Sequence, residues 1–334
     1  MEIGYSTKKG KTSFWKKAMS FRETTLILII LAVAVIISIL SPSFLTKSNL
    51  TTTAIGLSAD GIIAIGMTVA IVLGGFDLSV PGSFALSGVI TGILFLQGVN
   101  IWLACLIALA IGILIGFVNG IFIGKVGINA FIVTLGMNGI ASGAAYVITQ
   151  GSPLSLAGVS KSFLFIGSGS ILGIPFMVLL FVLFTIFGDF MMRRSEPLRK
   201  VFYTGSNEKA AILSGINTQN VKIWVFTLVA AMATLAGIVN TSRFTVATPT
   251  AGVGADMRAI SAAVIGGASL QGGEGTIFGS VLGVILLNLI NNGLVLLNVS
   301  VYWQNLINGV ILIAAVSFDY FSHKSKAKKV KAEN

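Results

Sequence analysis

The chain has 334 residues, of which 55% are hydrophobic and only 10% charged, with 22 Lys and Arg against 11 Asp and Glu. Soluble domains carry roughly 25% charged residues, so most of this surface faces something other than water, and an ordinary soluble enzyme is excluded. A single cysteine, Cys105, and a single histidine, His323, allow no intrachain disulfide and supply no ligand set for haem or zinc and no histidine-based catalysis. No catalytic or metal site is expected.

A bilayer core of about 30 Å takes about 20 helical residues per crossing. Residues 78–124 and 275–318 contain no charge, so each holds two helices and a turn. The alternating short segments of a membrane β-barrel are absent. Apolar windows bounded by charges and turn residues predict about ten transmembrane helices, at 24–41, 53–73, 80–96, 101–124, 129–149, 172–190, 222–241, 256–270, 275–296 and 302–318. The first follows Lys16, Lys17, Arg22 and Glu23 without a small-residue cleavage site, and reads as a retained helix rather than a signal peptide. The eighth, with Met257, Arg258 and a Gly266-Gly267 end, suits a half-helix buried among others. The chain is therefore read as an all-α polytopic membrane protein: a basic tail over 1–23, a membrane domain over 24–318 with a loop at 191–221, and a second basic tail over 319–334.

Loops rich in Lys and Arg stay in the cytoplasm. With an even number of spans, the N-terminal tail, Lys125, the segment from Arg193 to Lys222 and the C-terminal tail share one side, leaving Lys47, Lys161, Arg243 and Arg258 on the other. Both termini are expected in the cytoplasm of a multi-pass plasma-membrane protein, the inner membrane in a bacterium. The net charge of +11 is divided among helix ends and tails without an aromatic platform, so contacts to anionic lipid account for it and nucleic acid is not expected as a partner.

Gly112, Gly116 and Gly120, spaced by four, form a smooth helix face that permits close packing. A candidate inverted repeat joins Asn119-Gly120, Val126 and Gly136 to Asn292-Gly293, Val299 and Gly309, while a second echo, Val72-Leu-Gly-Gly against Val264-Ile-Gly-Gly, has a different offset. Near the start, Gly4 and Gly10-Lys11-Thr12 imitate a phosphate-binding loop, but with one residue too many between the glycines and no preceding strand. Nucleotide binding by this chain is not expected.

Asp60 is the one clear charge within a span. It is either a solute or proton contact or a helix-end aspartate satisfied by neighbouring groups. Asn119, Asn129, Asn138, Asn288, Asn291, Asn292, Trp303 and Gln304 supply amides and a ring that either meet a neutral polyol or bind helices together. Of these, Asp60, Asn119, Asn138, Asn292, Trp303 and Gln304 are the candidates for a solute path. In the loop at 191–221, Ser206 or Asn207 can cap a short helix, Glu208 complements its positive end and Gly215 can stop it. Ala210 and Ala211 would give it a flat surface for a partner's groove.

This loop resembles the coupling motif of the permease subunits of ATP-binding-cassette importers, specifically the ribose-type monosaccharide permeases. Three further blocks are similar to the family: Gly74-Gly75-Phe-Asp77-Leu-Ser79-Val-Pro81-Gly82; Gly116-Phe-Val-Asn119-Gly120 with Phe131-Ile-Val-Thr-Leu-Gly136; and Val264-Ile-Gly-Gly through Gly275 with Asn291-Asn-Gly293. They cover residues 40–320. The family usually has glycine at Pro81, a Glu-Leu-Asp-like run at Asp256-Met257-Arg258 and arginine at Glu274; Pro81 suits the first turn of a helix, while Arg258 and Glu274 reverse local charge.

The resemblance implies a type II importer-like bundle without covalent chemistry of its own. It implies two permease subunits, identical or related, and a cytoplasmic ATP-binding subunit that holds ATP and Mg, this chain having no cofactor. An extracytoplasmic binding protein would deliver a monosaccharide. Asn207, Glu208, Ala210, Ala211 and Gly215 would couple to the ATPase, and Gly74, Gly75, Asp77, Ser79 and Pro81 would form the loop leading into the third helix. The alternatives are a permease for a furanosyl signalling molecule or nucleoside, and an ion-coupled secondary transporter using Asp60.

Overall fold

The computed structural model describes the backbone of residues 21–333 and the side chains of 23–320 apart from Val301, Asn305 and Phe318. The tail before Phe21, with its phosphate-loop imitation, and the side chain of His323 lie outside the described residues. In chain order the helices are α1 (Phe21–Leu40), α2 (Lys47–Val72), α3 (Val80–Leu96), α4 (Ile101–Ile121) and α5 (Ala130–Thr149). They continue with α6 (Lys161–Ser168), α7 (Phe176–Arg194), α8 (Glu196–Ser206), α9 (Glu208–Leu213), α10 (Thr218–Phe244), α11 (Ala255–Ile265), α12 (Ile277–Leu296) and α13 (Val301–Glu333). Two antiparallel fragments pair β1 (Leu154–Ser155) with β4 (Val246–Ala247), and β2 (Ser170–Ile171) with β3 (Ile174–Pro175).

Every predicted window carries helix, but among the described residues 7 helices are long and apolar enough to cross a membrane: α1, α2, α4 with its following π turn, α5, α7, α10 and α12. The apolar parts of α3 and α13 are shorter, and α11, with 11 residues, is too short to cross. The reading of the eighth window as a half-helix agrees with that length. Two departures concern ends and loops. The segment before α7 forms α6 and the short strands, so the span predicted from 172 starts at Phe176. In the 191–221 loop a second helix, α8, precedes the expected one, because Ser195 caps it by accepting from Leu198 N at 3.4 Å and Pro197 sits in its first turn.

α2 occupies the centre, with 78% of its apolar window buried, whereas the windows of α1, α5 and α7 are only 17% buried and present their apolar faces to lipid. Beside α2 lies α10, held to α4 by the glycine face anticipated in the sequence. A methyl group added at Gly112, Gly116 or Gly120 would overlap Thr234, Ala230 or Ile223 of α10. Gly124, in the π turn Phe122–Val126, extends the seam to Gln219. A second crossing joins α8 to α2: Gly205 lies against the Val72 carbonyl, which also accepts from Gly273 N at 2.8 Å.

Gly116→Val should destabilise the purified protein by about 1–3 kcal/mol, because the seam has no room for the branch. Gly136→Ala on α5, where a Cβ meets nothing within 4 Å, should be neutral or stabilising, since alanine is the better helix former. Thermal unfolding in detergent reads both.

Candidate functional site

One end of the bundle holds a cavity of about 680 Å³, the scale of a small-molecule site. Its wall draws Gly56, Ala59 and Asp60 from α2, Phe84 from α3, and Asn240, Arg243 and Phe244 from α10. Val246, Thr248, Ala251 and Gly252 follow from the next segment, Arg258 from α11 and Asn288 from α12. The end of α10 is positioned twice. Ser242 Oγ donates to Phe163 O at 2.5 Å and accepts from Gly167 N at 2.9 Å, fixing it to α6, and the β1–β4 pairing holds the segment that follows.

Asp60 is paired. Arg258 donates from Nε to both its oxygens at 3.3 Å and from Nη2 to Oδ1 at 3.2 Å, while Nη1 reaches Val253 O at 3.2 Å. The two residues lie 198 apart in sequence, and their side chains are 31% and 19% exposed, Arg258 and Asp60 respectively, so the pair borders the cavity rather than being sealed away. A lone aspartate in mid-membrane costs about 2.5–3.5 kcal/mol on insertion scales; the guanidinium offsets that charge. The sequence reading weighed a helix-end acid and a solute contact for Asp60 but not a cross-helix ion pair.

The other path candidates lie elsewhere. Asn119 is fully buried and donates to Ser79 Oγ at 2.9 Å; Ser79 in turn donates from N and Oγ to Asp77 Oδ1 at 2.8 and 2.5 Å. This knot shapes the loop of Gly74, Gly75, Asp77 and Ser79 that leads into α3, with Pro81 in the helix's first turn. Asn138 Oδ1 accepts from Gly82 N at 2.8 Å, tying α5 to α3. Asn292 and Asn49 exchange reciprocal bonds of 2.8 and 3.1 Å between α12 and α2. Gln304 Nε2 donates to Val299 O at 3.5 Å, and Trp303 is 58% exposed outside the cavity. Of the six candidates, Asp60 alone lines the cavity. Sequence reasoning missed Asn240, Arg243, Phe84 and Phe244; its one usable signal was that Arg243 and Arg258 stand close to spans on the side otherwise poor in basic residues.

At the opposite end of α10 stands α9. Asn207 Oδ1 caps it by accepting from Ala210 N at 3.0 Å. At its other end Gly215, at φ 81°, donates to Ile212 O at 2.9 Å while Ile216 donates to Ala211 O at 3.0 Å, the paired bonds that close a helix through a left-handed glycine. Glu208 forms a 2.6 Å ion pair with Lys222 of α10. Burial pushes the Glu208 carboxyl up, but the Lys222 hydrogen bond and charge and a Thr218 hydrogen bond outweigh it, leaving its pKa below the ordinary value. One expectation is corrected here: Ala211 is buried against the chain's own residues, so the outward surface is Ala210 with Ile212, 55% exposed, and Leu213, 89% exposed. From Lys222 to Arg243 the helix rises about 30 Å, at 1.5 Å per residue.

A helical bundle crossing a membrane several times, with a cavity bordered by amide and charged side chains at one end and a short exposed helix at the other, defines a multi-pass transport protein. The chain belongs to the family described as "Branched-chain amino acid transport system / permease component", which matches residues 49–316. The ribose import permease protein of Escherichia coli K12 is 38% identical over 308 residues, covering 92% of this chain and 96% of that protein. The D-allose transport system permease protein of the same organism is 35% identical over 323 residues, covering 95% and 98%. The L-arabinose ABC transporter permease protein of Azospirillum brasilense is 33% identical over 307 residues, covering 91% and 90%. No solved structure matches the chain.

Removing one partner of the cavity ion pair strands the other. Asp60→Ala and Arg258→Ala should each cost about 1–3 kcal/mol, whereas Asp60→Asn with Arg258→Gln should recover much of the loss; thermal unfolding of the set measures it. The Glu208–Lys222 pair contributes stability above the ordinary carboxylate range, lost as pH falls through the lowered folded value. Because both side chains are partly exposed, the gain is below about 1 kcal/mol, and a small excess of wild-type over Glu208→Gln stability at neutral pH should vanish on acidification.

Proposed function

We propose that this chain is the membrane-spanning permease subunit of an ATP-binding-cassette importer that brings a monosaccharide across the bacterial inner membrane. The observation carrying this reading is the cavity: amides of Asn240 and Asn288 and the charged groups of Asp60, Arg243 and Arg258 lie beside the rings of Phe84 and Phe244. Amides and guanidinium groups hydrogen-bond hydroxyls, and aromatic faces cover the apolar side of a sugar ring. Three sugar permeases at 33–38% identity support the substrate class.

In this reading the α8–α9 end is cytoplasmic, as are both termini, and the cavity faces a binding protein that delivers the sugar. α9 seats in a groove of the ATP-binding subunit, with Leu213 and Ile212 as its apolar contacts. Asn207, Glu208 and Gly215 hold the helix in shape, and a second permease subunit, identical or related, completes the path. The chain supplies a path and a lever and catalyses no bond cleavage; ATP and Mg act on the partner. An ion-coupled secondary transporter using Asp60 is disfavoured because Arg258 already supplies the cation that Asp60 would otherwise recruit.

Sugar uptake by cells carrying the complete importer should require the partner's ATP hydrolysis. The purified chain alone in vesicles should accumulate no sugar on a proton or sodium gradient, and accumulation there would overturn the reading. Leu213→Asp should lower copurification of the ATPase and uptake by about tenfold, since a buried, unpaired carboxylate would replace an apolar contact, while leaving thermal stability of the permease near wild type.

A further inference from the structure

We propose that the solute admitted to this cavity is a sugar carrying one anionic group, a carboxylate or a phosphate, and that Arg243 is the residue that binds it. The inference rests on the reading of the cavity as the solute path and names the substrate class within it.

Asp60, Arg243 and Arg258 are the acidic and basic residues of the cavity wall, one against two, so the wall carries an excess of basic groups. Asp60 and Arg258 neutralise one another, both carboxylate oxygens accepting from the guanidinium. Arg243 is left. Among the described residues none of the ion pairs includes it, and its guanidinium carbon lies 4.9 Å from the centroid of the Phe244 ring. Its side chain is only partly exposed.

The carbonyl end of α10 favours a cation at this position, and the Phe244 ring face attracts it further. Neither gives the in-plane donors an anionic acceptor. The Arg243 guanidinium, over the Phe244 ring and outside every ion pair among the described residues, can meet a carboxylate or phosphate by two parallel charge-assisted bonds. Asn240 and Asn288 stand in the same wall to meet hydroxyls. Asn288 donates to Val284 O at 3.1 Å and keeps its oxygen for an incoming hydroxyl. A neutral sugar would leave the excess positive charge in place as it entered, whereas an acidic sugar cancels it.

The test uses the full chain in lipid nanodiscs. Thermal unfolding is followed against increasing gluconate, glucuronate, glucose 6-phosphate, ribose and glucose at low ionic strength. Wild type should be stabilised by an anionic sugar at concentrations at least about tenfold below those needed for ribose or glucose. Gluconate and glucuronate against glucose 6-phosphate decide between carboxylate and phosphate. Arg243→Gln should weaken the anionic ligand by roughly 10- to 100-fold without changing the response to neutral sugars, and Arg243→Lys should restore part of it. Added salt should weaken binding of the anionic sugar in the wild type.

Equal or better stabilisation by neutral sugars, unchanged anionic binding in Arg243→Gln, or no stabilisation by any anionic sugar would each overturn the inference. The broader reading fails separately. If neutral sugar is taken up in an ATP-hydrolysis-dependent way, the importer stands and only the anionic preference falls; if no sugar uptake depends on the ATPase, both fall.

Discussion

Apolar side chains gain nothing by leaving lipid for one another, so helices in a bilayer are held by close contact and by the polar groups they satisfy. Here that constraint is met at the seam between α4 and α10. Gly112, Gly116, Gly120 and Gly124 remove side chains along a continuous line, and Thr234, Ala230, Ile223 and Gln219 fill it. The approach fixes α10 against its neighbours over most of its length. That helix carries part of both functional ends: Asn240, Arg243 and Phe244 in the cavity wall, and Lys222 with its bond to Glu208 at the other end.

A second rigid contact connects the same two ends through α2. Asp60 lies partway along that helix in the cavity wall, and Val72 closes it with a carbonyl that accepts from Gly273 and is covered by Gly205 of α8. A displacement of the α8–α9 unit therefore pushes on backbone, where there is no flexible side chain to absorb it. In the proposed importer, this contact would carry a push from the ATPase toward the Asp60–Arg258 pair. Polar knots such as Asp77–Ser79–Asn119 and Asn49–Asn292 then serve to hold helices together, a use that interhelical amides serve widely.

One internal echo in the sequence acquires a local explanation. Val72-Leu-Gly-Gly and Val264-Ile-Gly-Gly both end helices, and in each a left-handed glycine donates back to the carbonyl three residues before it: Gly74 to Ile71 O at 2.9 Å and Gly267 to Val264 O at 3.0 Å. The stopping glycine is the first of the pair in one case and the second in the other, so the likeness reflects a shared helix-stop chemistry. The asparagines of the Asn119 and Asn292 blocks meet different partners, Ser79 for the first and Asn49 for the second.

What the sequence determined by itself follows from local physics. The lengths of uncharged runs placed helices, and the four-residue glycine spacing announced the seam. Asn207, Glu208 and Gly215 announced α9, whose cap, first turn and stop lie within a few residues of one another. Only the tertiary structure decided which polar groups share a space. Asp60 meets Arg258 across 198 residues, Arg243 joins them from a third helix, and Asn119 and Asn138 turn toward loop and backbone partners. It also decided that Ala211 faces inward while Leu213 faces out. An amide in a membrane helix is equally able to serve a neighbour or a solute, and its sequence neighbours are the same in both cases; the choice is made by what the folded chain brings within about 3 Å of it.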